Sequence, residues 1–343
     1  MTAAELYDFR HFRMAEMDIP DPGPGEVQVQ VKAVGICGSD VHYFSEGSIG
    51  DTPCVYPMVL GHEPTGQVCK MGPGVTGLSL GDRAALEPAL YCYHCEFCST
   101  GHHNVCSHMD FLSTPGSPGF FREYVNLPAG NLLPLPDNIS FEAGTLFEPL
   151  AVILHSVQLA QLHLGETAAV FGAGPIGLLT VAVLKAAGAA RVWAIDPIPH
   201  RRELALRMGA DAVIDPAQVD PVRQILTDTG RRGVDLALDC ATKGDTVNQC
   251  LDVARNAGRV VITGIPSELQ VQLNFHVLRR KELALYTVRR SNREENIGMR
   301  MMSEQPQKFA PLVTHLRPLE KIQSSFELLE KYEDGVGKLV LTL

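Results

Sequence analysis

A glycine-rich turn between two apolar runs constrains the fold of this chain more than any other feature of its sequence. The first run, 168–171, predicts a buried strand, and the turn GAGPIG at 172–177 follows it directly. A helical stretch then extends to about Gly188, and the apolar run 191–195 predicts the next strand. This order of strand, turn, helix and strand is typical of a βαβ unit that binds a dinucleotide.

Each glycine of the turn has a separate physical task in such a site. Gly172 permits the tight turn, Gly174 lets a pyrophosphate approach the backbone, and Gly177 lets helix and strand pack closely. The pyrophosphate would meet the unpaired N–H groups at the helix N-terminus. Two other interpretations are weaker. The uncharged stretch 168–184 is too short and too interrupted for a membrane span, and an unrelated glycine turn would lack the acid that ends the next strand.

Asp196 ends the second strand and indicates which dinucleotide binds. A carboxylate at this position accepts hydrogen bonds from the adenosine ribose hydroxyls and repels a 2′-phosphate, so NAD is favoured over NADP. Arg201 and Arg202 follow closely and weigh against this choice. The pattern then continues to alternate, which predicts a doubly wound parallel sheet in an α/β fold. The predicted helices are 201–208 and 219–227, and the predicted strands are 212–214, 234–238 and 259–263.

Length, charge and cysteine content limit the classes of protein to which the chain can belong. The 343 residues favour two domains, and the content of 45% apolar and 20% charged residues indicates a globular enzyme. A net charge of −10 argues against nucleic acid and anionic membrane as partners, because phosphate groups would repel the chain. Nine cysteines cannot all pair within the chain, and with no visible secretory signal they indicate a reducing, cytoplasmic setting.

Four cysteines packed into one short segment form the most specific local motif. Cys92, Cys95, Cys98 and Cys106 follow the spacing C-x2-C-x2-C-x7-C. Four thiolates at this spacing can enclose one tetrahedral Zn²⁺ with no open position, which is the arrangement of a structural site. The alternatives, four unrelated free cysteines or a redox CxxC motif, fit the three evenly spaced cysteines poorly.

A second candidate metal site involves Cys37 and His62. A thiolate and an imidazole are both preferred zinc ligands, and small residues surround each of them. Either residue alone is more often a buried cysteine or a core histidine. Glu63 is a candidate ligand or a carboxylate that supports one, and the local sequence leaves this open. Glu148 opens a helical stretch that extends to about Leu162, a position where glutamate usually only complements the helix dipole.

The two ends of the chain differ in pattern from its middle. Valine alternates with polar residues over 27–32, which predicts a half-buried strand, and 111–136 is rich in turns and short strands. Residues 2–14 show no clear strand pattern. We expect the segment past Leu285 to return to the first domain, and its predicted elements are a loop at 288–292, a helix at 326–332 and a strand at 338–341.

Several of these segments together resemble one enzyme family. GICGSDVHY, GHE, the four-cysteine segment, FEPLAV, GAGPIG and the tail LVTHLRPLEKIQSSFELL are similar to zinc-dependent medium-chain dehydrogenases, in particular the sorbitol/xylitol (polyol) dehydrogenases. The resemblance covers nearly the whole chain, from about Pro20. It implies a groES-like β-rich catalytic domain, 1–149 completed by 285–343, and a Rossmann NAD-binding domain, 150–284. It also implies a homo-oligomer, with a tetramer favoured.

The reaction implied by the resemblance is zinc-dependent oxidation of a secondary hydroxyl of a polyol to a ketose, with hydride transfer to NAD⁺. Threonine dehydrogenase and 2,3-butanediol dehydrogenase are the alternative activities. A non-catalytic nucleotide-binding scaffold is an alternative of another class. Such a scaffold would be marked by the loss of a catalytic ligand, whereas the family's ligand positions are all filled here.

The family's functional residues fall on matching positions of this chain. The resemblance implies a catalytic zinc bound by Cys37, His62, Glu63 and Glu148, and a structural zinc bound by Cys92, Cys95, Cys98 and Cys106, hence two zinc ions per subunit. It implies a proton relay of Ser39 and His42, and substrate contacts from Tyr43, Phe111, Glu148 and Arg289. The implied coenzyme contacts are Gly172, Gly174, Ile176, Gly177, Asp196, Arg201, Thr263, Gly264, Ile265, Val288 and Arg289.

Two features set the chain apart within this family. Polyol dehydrogenases commonly have Arg-Tyr where this chain has Arg289-Arg290, so one substrate contact differs in chemistry. A second cation facing the substrate would favour an acidic or phosphorylated polyol. We favour the alternative, that Arg290 points to solvent. The four-cysteine segment is intact, although some animal sorbitol dehydrogenases have lost it.

Overall fold

Twenty strands and twelve α-helices form the computed structural model, which describes residues 1–343. The strands are β1 (Thr2–Asp8), β2 (His11–Glu16), β3 (Glu26–Gly35), β4 (Ser48–Ile49), β5 (Thr52–Pro53), β6 (Met58–Val59), β7 (Glu63–Met71), β8 (Arg83–Leu86), β9 (Ala89–Leu90), β10 (Asp110–Phe111), β11 (Tyr124–Pro128), β12 (Leu132–Pro134), β13 (Thr167–Phe171), β14 (Arg191–Ile195), β15 (Ala212–Ile214), β16 (Val234–Asp239), β17 (Ala254–Ile262), β18 (Ala284–Thr287), β19 (Val313–Pro318) and β20 (Lys338–Thr342). The helices are α1 (Gly38–Glu46), α2 (Glu96–Ser99), α3 (Phe141–Gly144), α4 (Phe147–Ala160), α5 (Pro175–Ala186), α6 (Pro199–Arg207), α7 (Pro221–Asp228), α8 (Thr246–Val253), α9 (Phe275–Arg280), α10 (Glu295–Glu304), α11 (Pro306–Phe309) and α12 (Ile322–Lys331).

The chain divides into two units. The first comprises 1–148, 295–306 and 313–343, and the second comprises 149–294 and 307–312. The sequence prediction placed the return to the first domain at 285. The structure places it later, because β18 pairs in parallel with β17 and so extends the sheet of the second unit.

The first unit is built on a mostly antiparallel sheet in the order β12-β8-β7-β3-β20-β19, with β11 also paired to β3. The alternating valines of β3 are buried, as expected for a strand whose side chains enter a core. Aromatic packing joins the two ends of the chain within this unit. Phe12 of β2 lies 4.7 Å from Phe326 of α12 between ring centroids, and Phe44 lies 5.3 Å from Phe326.

The second unit contains six parallel strands in the order β15-β14-β13-β16-β17-β18. Numbered within the unit, this is the order 3-2-1-4-5-6 of a Rossmann fold, which confirms the predicted doubly wound sheet. The direction of winding reverses between β13 and β16. In such sheets ligands bind at the carboxyl ends of the strands beside this reversal, so the loops after β13 and β16 form the expected coenzyme site.

Most predicted elements of the second unit are confirmed, whereas several elements elsewhere escaped prediction. The strands 191–195 and 212–214 have the predicted bounds, and the helix after the glycine turn is α5. Residues 2–14, which showed no clear pattern, form the antiparallel pair β1 and β2. Helices α8, α9 and α10 were also not predicted.

One helical stretch, Phe141–Ala160, meets the length and composition expected of a membrane span. Its apolar window is 72% buried inside the protein, as in the core helix of a globular domain. The uncharged run 168–184 that raised the same question in the sequence is divided between β13 and α5, so it is not one helix.

Candidate functional site

A largely buried group of three potential metal ligands lies where α1 and β7 begin. Cys37 caps the N-terminus of α1. His62 directly precedes β7 and Glu63 begins it, and β7 pairs with β3. The thiol sulfur, a ring nitrogen and a carboxylate oxygen of these residues all lie within 4.8 Å of one another. The structure therefore brings together three of the four residues predicted to bind the catalytic zinc.

Asp40 supports this group, and the sequence analysis did not identify it. Its carboxylate is 1% exposed, and its Oδ1 lies 3.3 Å from His62 Nδ1. The same oxygen accepts hydrogen bonds from the Gly61 N–H and the Ser113 hydroxyl, both at 3.2 Å, while Oδ2 accepts from the Cys37 N–H at 3.0 Å. A carboxylate behind Nδ1 orients the ring and leaves Nε2 for a metal ion. The C-x-x-D spacing at the helix start was the available signal.

The charges of the group favour a bound cation. Burial alone would lower the pKa of His62, but its interactions with the neighbouring Asp40 and Cys37 raise that pKa well above its usual value. Burial alone would raise the pKa of Asp40, yet His62 and the amides of Cys37 and Gly61 hold it below the usual range. Surroundings that stabilise a protonated imidazole in this way also stabilise a metal ion, so these residues fit a zinc site.

Glu63 has a buried counter-ion that was not expected from the sequence. It is fully buried and forms an ion pair with Lys338 of β20, which is 2% exposed. Burial would lower the pKa of Lys338, but Glu63 and Cys37 raise it. The pair needs a glycine beside it, because a Cβ on Gly35 would lie 2.1 Å from the Glu63 Oε2 atom.

Of the other residues predicted for this site, two contact His62, one is buried in the interior and one is half-buried. Phe111 lies 5.4 Å from His62 between ring centroids, and Ser39 Oγ lies 3.3 Å from His62 Nε2. Tyr43 is 2% exposed, and burial raises its pKa to about 12. His42 is half-buried, with Nδ1 3.0 Å from Glu46 Oε1.

Glu148 is not part of the three-ligand group. It is 5% exposed and lies in the first turn of α4, so it is shielded from water. Its carboxylate does not belong to the group whose ligand atoms all lie within 4.8 Å of one another. Its role as the fourth zinc ligand stays a prediction.

The four-cysteine segment folds into a closed cluster of sulfur atoms. Cys95 caps α2, and the four sulfurs lie within 4.8 Å of one another, with Cys92 4.0 Å from Cys98 and Cys95 3.9 Å from Cys106. Four sulfurs bound to one Zn²⁺ at about 2.3 Å would lie about 3.8 Å apart. Amide N–H groups of Cys98 and Ser107 lower the pKa of Cys95 to about 5, whereas burial raises the pKa of Cys98 to about 12.

The glycine turn has the backbone geometry predicted for it. Gly172 has φ 90°, and a Cβ there would lie 2.9 Å from the Ala241 Cβ. A Cβ on Gly177 would lie 1.8 Å from the Gly172 oxygen, so only glycine allows α5 to begin so close to β13. Gly174 caps α5, and the nearest atom to a Cβ there would be Arg201 Nη1 at 3.9 Å, so the backbone is not covered by a close neighbour and a ligand can approach it.

Asp196 lies directly beside this turn. It is 3% exposed, and its Oδ2 accepts a hydrogen bond from the Ala173 N–H at 2.8 Å. Arg201 Nη1 lies 3.8 Å from the same carboxylate oxygen. Arg202, which weighed against NAD in the sequence, lies 3.0 Å from Asp215 and donates to the Asp196 backbone oxygen. Its charge is thus neutralised by a second acid.

The other predicted coenzyme residues follow β17 and β18. Thr263 donates from Oγ1 to Ser156 Oγ at 3.2 Å, and a Cβ on Gly264 would lie 2.3 Å from Thr242 Oγ1. In the segment after β18, Arg289 is exposed, whereas Arg290 is half-buried with its Nε atom inaccessible to water. The expectation that Arg290 points freely to solvent is therefore wrong.

Comparison with known proteins agrees with this arrangement. The model of the alcohol dehydrogenase GroES-like domain matches residues 23–137, and that of the zinc-binding dehydrogenase domain matches 175–304. Sorbitol dehydrogenase from Bacillus subtilis (strain 168) is 33% identical over 99% of this chain and 97% of its own length. The chain belongs to the zinc-dependent medium-chain dehydrogenases.

Two further relatives support this family assignment. Human sorbitol dehydrogenase is 36% identical over 96% of this chain and 92% of its own length. The crystal structure of 2R,3R-butanediol dehydrogenase from Bacillus subtilis superposes with a TM-score of 0.89 at 32% identity, covering 100% of this chain and 99% of that one. As a member of the polyol dehydrogenase-like group, this medium-chain dehydrogenase is an enzyme that uses zinc and a nicotinamide coenzyme.

Proposed function

We propose that this medium-chain dehydrogenase oxidises a secondary hydroxyl of a sorbitol- or xylitol-type polyol to a ketose and transfers the hydride to NAD⁺. The observation that carries the proposal is the group of the half-buried Cys37 with the buried His62 and Glu63, with the Ser39 hydroxyl beside it. The names of the two sorbitol dehydrogenases support the substrate class.

We assign the catalytic zinc to Cys37, His62 and Glu63, with Glu148 as a fourth ligand, direct or through water. When bound, the ion supplies Lewis-acid chemistry that makes the substrate hydroxyl easier to deprotonate. Asp40 holds the His62 ring from behind, and Lys338 holds Glu63. These two buried contacts fix the ligands before the metal arrives, which reduces the entropy lost on binding.

The chain's own groups provide for removal of the hydroxyl proton. Ser39 Oγ lies 3.3 Å from His62 Nε2, so it is positioned to accept a hydrogen bond from a hydroxyl held at this site. His42 follows one turn later on α1, is half-buried, and contacts Glu46, so it can pass the proton to solvent. Phe111 and Tyr43 supply apolar surface that excludes water from the reacting atoms.

For the coenzyme we propose NAD⁺ bound at the glycine turn, with the adenosine ribose at Asp196. The buried carboxylate repels a 2′-phosphate, and Arg202, which could have attracted one, lies beside Asp215. The second metal site, formed by the four cysteines, is proposed to hold a structural zinc because the cluster is closed on all sides by sulfur.

Three other substrate classes are alternatives to an uncharged polyol. The similarity to 2R,3R-butanediol dehydrogenase keeps the diol, and with it threonine, as alternative substrates. Because Arg290 is half-buried, and a second cation near the substrate would favour a negative one, an acidic or phosphorylated polyol is also an alternative substrate. A non-catalytic scaffold has the least support, because Cys37, His62, Glu63 and Ser39 are all present and assembled.

We also propose that the enzyme is a cytoplasmic homo-oligomer, with a tetramer favoured by the family resemblance. A run of apolar side chains on the second unit supports assembly. Leu269 is 74% exposed and Phe275 is 64% exposed, with Ile265, Val271 and Leu273 each at least 40% exposed. Monomeric proteins rarely leave so many large apolar side chains of one segment in water.

The proposed activity is tested by measuring initial NAD⁺ reduction across a panel of substrates: sorbitol, xylitol, galactitol, L-arabinitol, 2,3-butanediol, L-threonine and a polyol phosphate. Each reaction is run before and after zinc is removed with a chelator. Zinc-dependent turnover of one of the uncharged polyols is expected. Turnover of threonine or butanediol alone would contradict the polyol assignment, and binding of NADH without turnover of any compound would favour the scaffold.

A further inference from the structure

The segment that follows β18 is held in a conformation that it would not adopt by itself. Arg290 has φ 53° and Arg293 has φ 75°, so two non-glycine residues lie in the left-handed region within one short segment. Between them Ser291 is fully buried. Backbone of this kind persists only where neighbouring groups fix it, and such segments are concentrated at ligand-binding sites.

A buried hydrogen-bonded pair provides that fixation. Glu294 is 4% exposed and His155, on α4, is 9% exposed, and His155 Nδ1 lies 2.9 Å from Glu294 Oε1. Because a carboxylate only accepts, Nδ1 is the protonated ring nitrogen and donates to Glu294. The second oxygen, Oε2, accepts a hydrogen bond from the Asn292 N–H. One buried side chain thus joins the backbone of the segment to a core helix.

The same helix also contacts the other segment predicted to bind coenzyme. Ser156, next to His155 and fully buried, accepts a hydrogen bond from the Thr263 hydroxyl at 3.2 Å. Thr263 directly follows β17, and the segment 288–294 directly follows β18, its parallel neighbour. Two successive residues of α4 therefore hold the carboxyl-terminal loops of two adjacent strands, where a Rossmann sheet binds its coenzyme.

We propose that His155 and Glu294 are positioning residues for coenzyme binding, which act by holding 288–293 in its strained conformation. Neither residue is assigned to the coenzyme or the metal. The inference rests on the proposed function, because Val288 and Arg289 are coenzyme contacts only within that proposal. If the pair is broken, the segment relaxes, and coenzyme must reorder it on binding. Affinity for NADH should fall although no coenzyme contact has been removed.

Release of this segment can be measured with trypsin, which cleaves after arginine once the backbone is mobile. The segment contains three sites for this protease, Arg289, Arg290 and Arg293. We would compare full-length wild type with Glu294→Ala and His155→Ala in limited trypsin digestion without coenzyme, mapping cleavage by mass spectrometry. Cleavage at these three arginines is expected to accelerate at least tenfold, with other sites unchanged. The Kd for NADH, measured by fluorescence, is expected to rise at least tenfold, and the KM for NAD⁺ with it, while kcat changes less than threefold.

Conservative variants separate positioning from general stability. Glu294→Gln can keep its oxygen as the acceptor for the Asn292 N–H while its amide N–H donates to His155 Nδ1 in the other ring tautomer, and His155→Asn keeps a donor near the Nδ1 position. Both variants are therefore expected to restore the slow cleavage and the Kd to within threefold of wild type. His315→Ala, which breaks a histidine–aspartate pair in the first unit, is the matched control and should change neither.

Two results would overturn the inference. One is unchanged cleavage of the segment and an unchanged Kd in both alanine variants. The other is faster cleavage at all sites in parallel with a lowered Tm, because that would mark a purely structural role. Failure of the proposed function looks different. In that case the wild type turns over no alcohol or does not bind NADH, while the local cleavage result still reports whether the pair holds the segment.

Discussion

At the scale of single residues, the groups that support the ligands distinguish this metal site from a chance cluster. Asp40 takes part in four contacts, with the His62 ring, two backbone amides and the Ser113 hydroxyl, and it does so in nearly complete isolation from water. Removing a carboxylate from water costs free energy, so a charged group is buried in this way only where its partners stabilise it. The carboxylate therefore fixes His62 in the orientation that metal binding requires.

Replacement of Asp40 should weaken zinc binding without removing a ligand. In Asp40→Asn the charge behind His62 is lost, and we expect the affinity for the catalytic zinc to fall by about 10- to 100-fold. Zinc release to a chromogenic chelator measures this directly. Asp51→Asn, an exposed aspartate in the same unit, is the control and should release zinc at the wild-type rate. Equal rates for all three proteins would show that Asp40 does not support the site.

The buried ion pair between Lys338 and Glu63 could not be predicted from the sequence. Cys37, His62 and Glu63 could be proposed because their side chains are recognisable zinc ligands at informative positions. The partner of Glu63 lies at the other end of the chain, on β20, and only the pairing of β20 with β3 brings it close. A lysine at the start of a predicted strand is usually exposed, and nothing local marks this one as buried.

Among the elements, those with strong local signals were predicted well. The βαβ unit at β13, α5 and β14 combines apolar runs, glycines and an acid, each of which has a separate physical cause, so the prediction did not depend on any one of them. The hairpin β1 and β2 lacked such signals. Its strands carry charged residues on exposed positions, and β1 is stabilised by pairing with the distant β6, a contact no local pattern encodes.

The four-cysteine segment should be a metal-dependent element. Its short helix and turns bury little apolar surface, so the proposed zinc would supply much of its folding free energy. In Cys98→Ala we expect the loss of one zinc per chain and a lower Tm, measured by metal analysis and calorimetry. Cys250→Ala, in a buried lone cysteine of the second unit, should lower Tm without loss of zinc. Native zinc content and Tm in Cys98→Ala would contradict a structural zinc site.

The sheet of the second unit should depend on one carboxylate in a pH-dependent way. Burial would raise the pKa of Asp235, but hydrogen bonds from Arg232, Arg255 and Thr167 lower it far below the usual range. A depressed pKa contributes stability above the unfolded pKa of about 3.9, and this contribution is lost as pH falls toward the folded value. Asp235→Asn should cost about 2 kcal/mol at pH 7.

Denaturant unfolding at several pH values tests this prediction. The difference in unfolding free energy between wild type and Asp235→Asn should be constant from pH 7 to about pH 5 and should shrink as the pH falls toward 2. Glu203→Gln, at an exposed position of the same unit, provides the control. A difference that does not depend on pH would mean that the charge of Asp235 contributes nothing.

At the scale of the whole molecule, the proposed assembly follows from the exposed apolar segment 265–275. We expect light scattering to give about four times the chain mass of 37.3 kDa. Leu269→Asp together with Leu273→Asp should reduce this mass, because charges cannot be buried unpaired at an interface. Leu164→Asp, at an isolated leucine that is 88% exposed, should leave the mass unchanged. A monomeric wild type would contradict the assembly.

The sequence also predicts that the chain contains one metal-binding unit and one nucleotide-binding unit, because each unit has its own motif. It placed the end of the second unit too early. The alternation of helix and strand is weak around 265–283, where exposed apolar residues do not follow the period of either element, so β18 was separated from the sheet to which it belongs.

Zinc held by Cys37 should enable the oxidation, while the coenzyme should bind independently of this ion. The most direct test compares wild type, Cys37→Ala and Cys69→Ala, an exposed-cysteine control, for zinc content, NADH affinity and polyol-dependent NAD⁺ reduction. For Cys37→Ala we expect one zinc fewer per chain, a Kd for NADH within about threefold of wild type, and turnover reduced at least about a hundredfold. Wild-type turnover by Cys37→Ala would show that zinc at this site does not enable the oxidation.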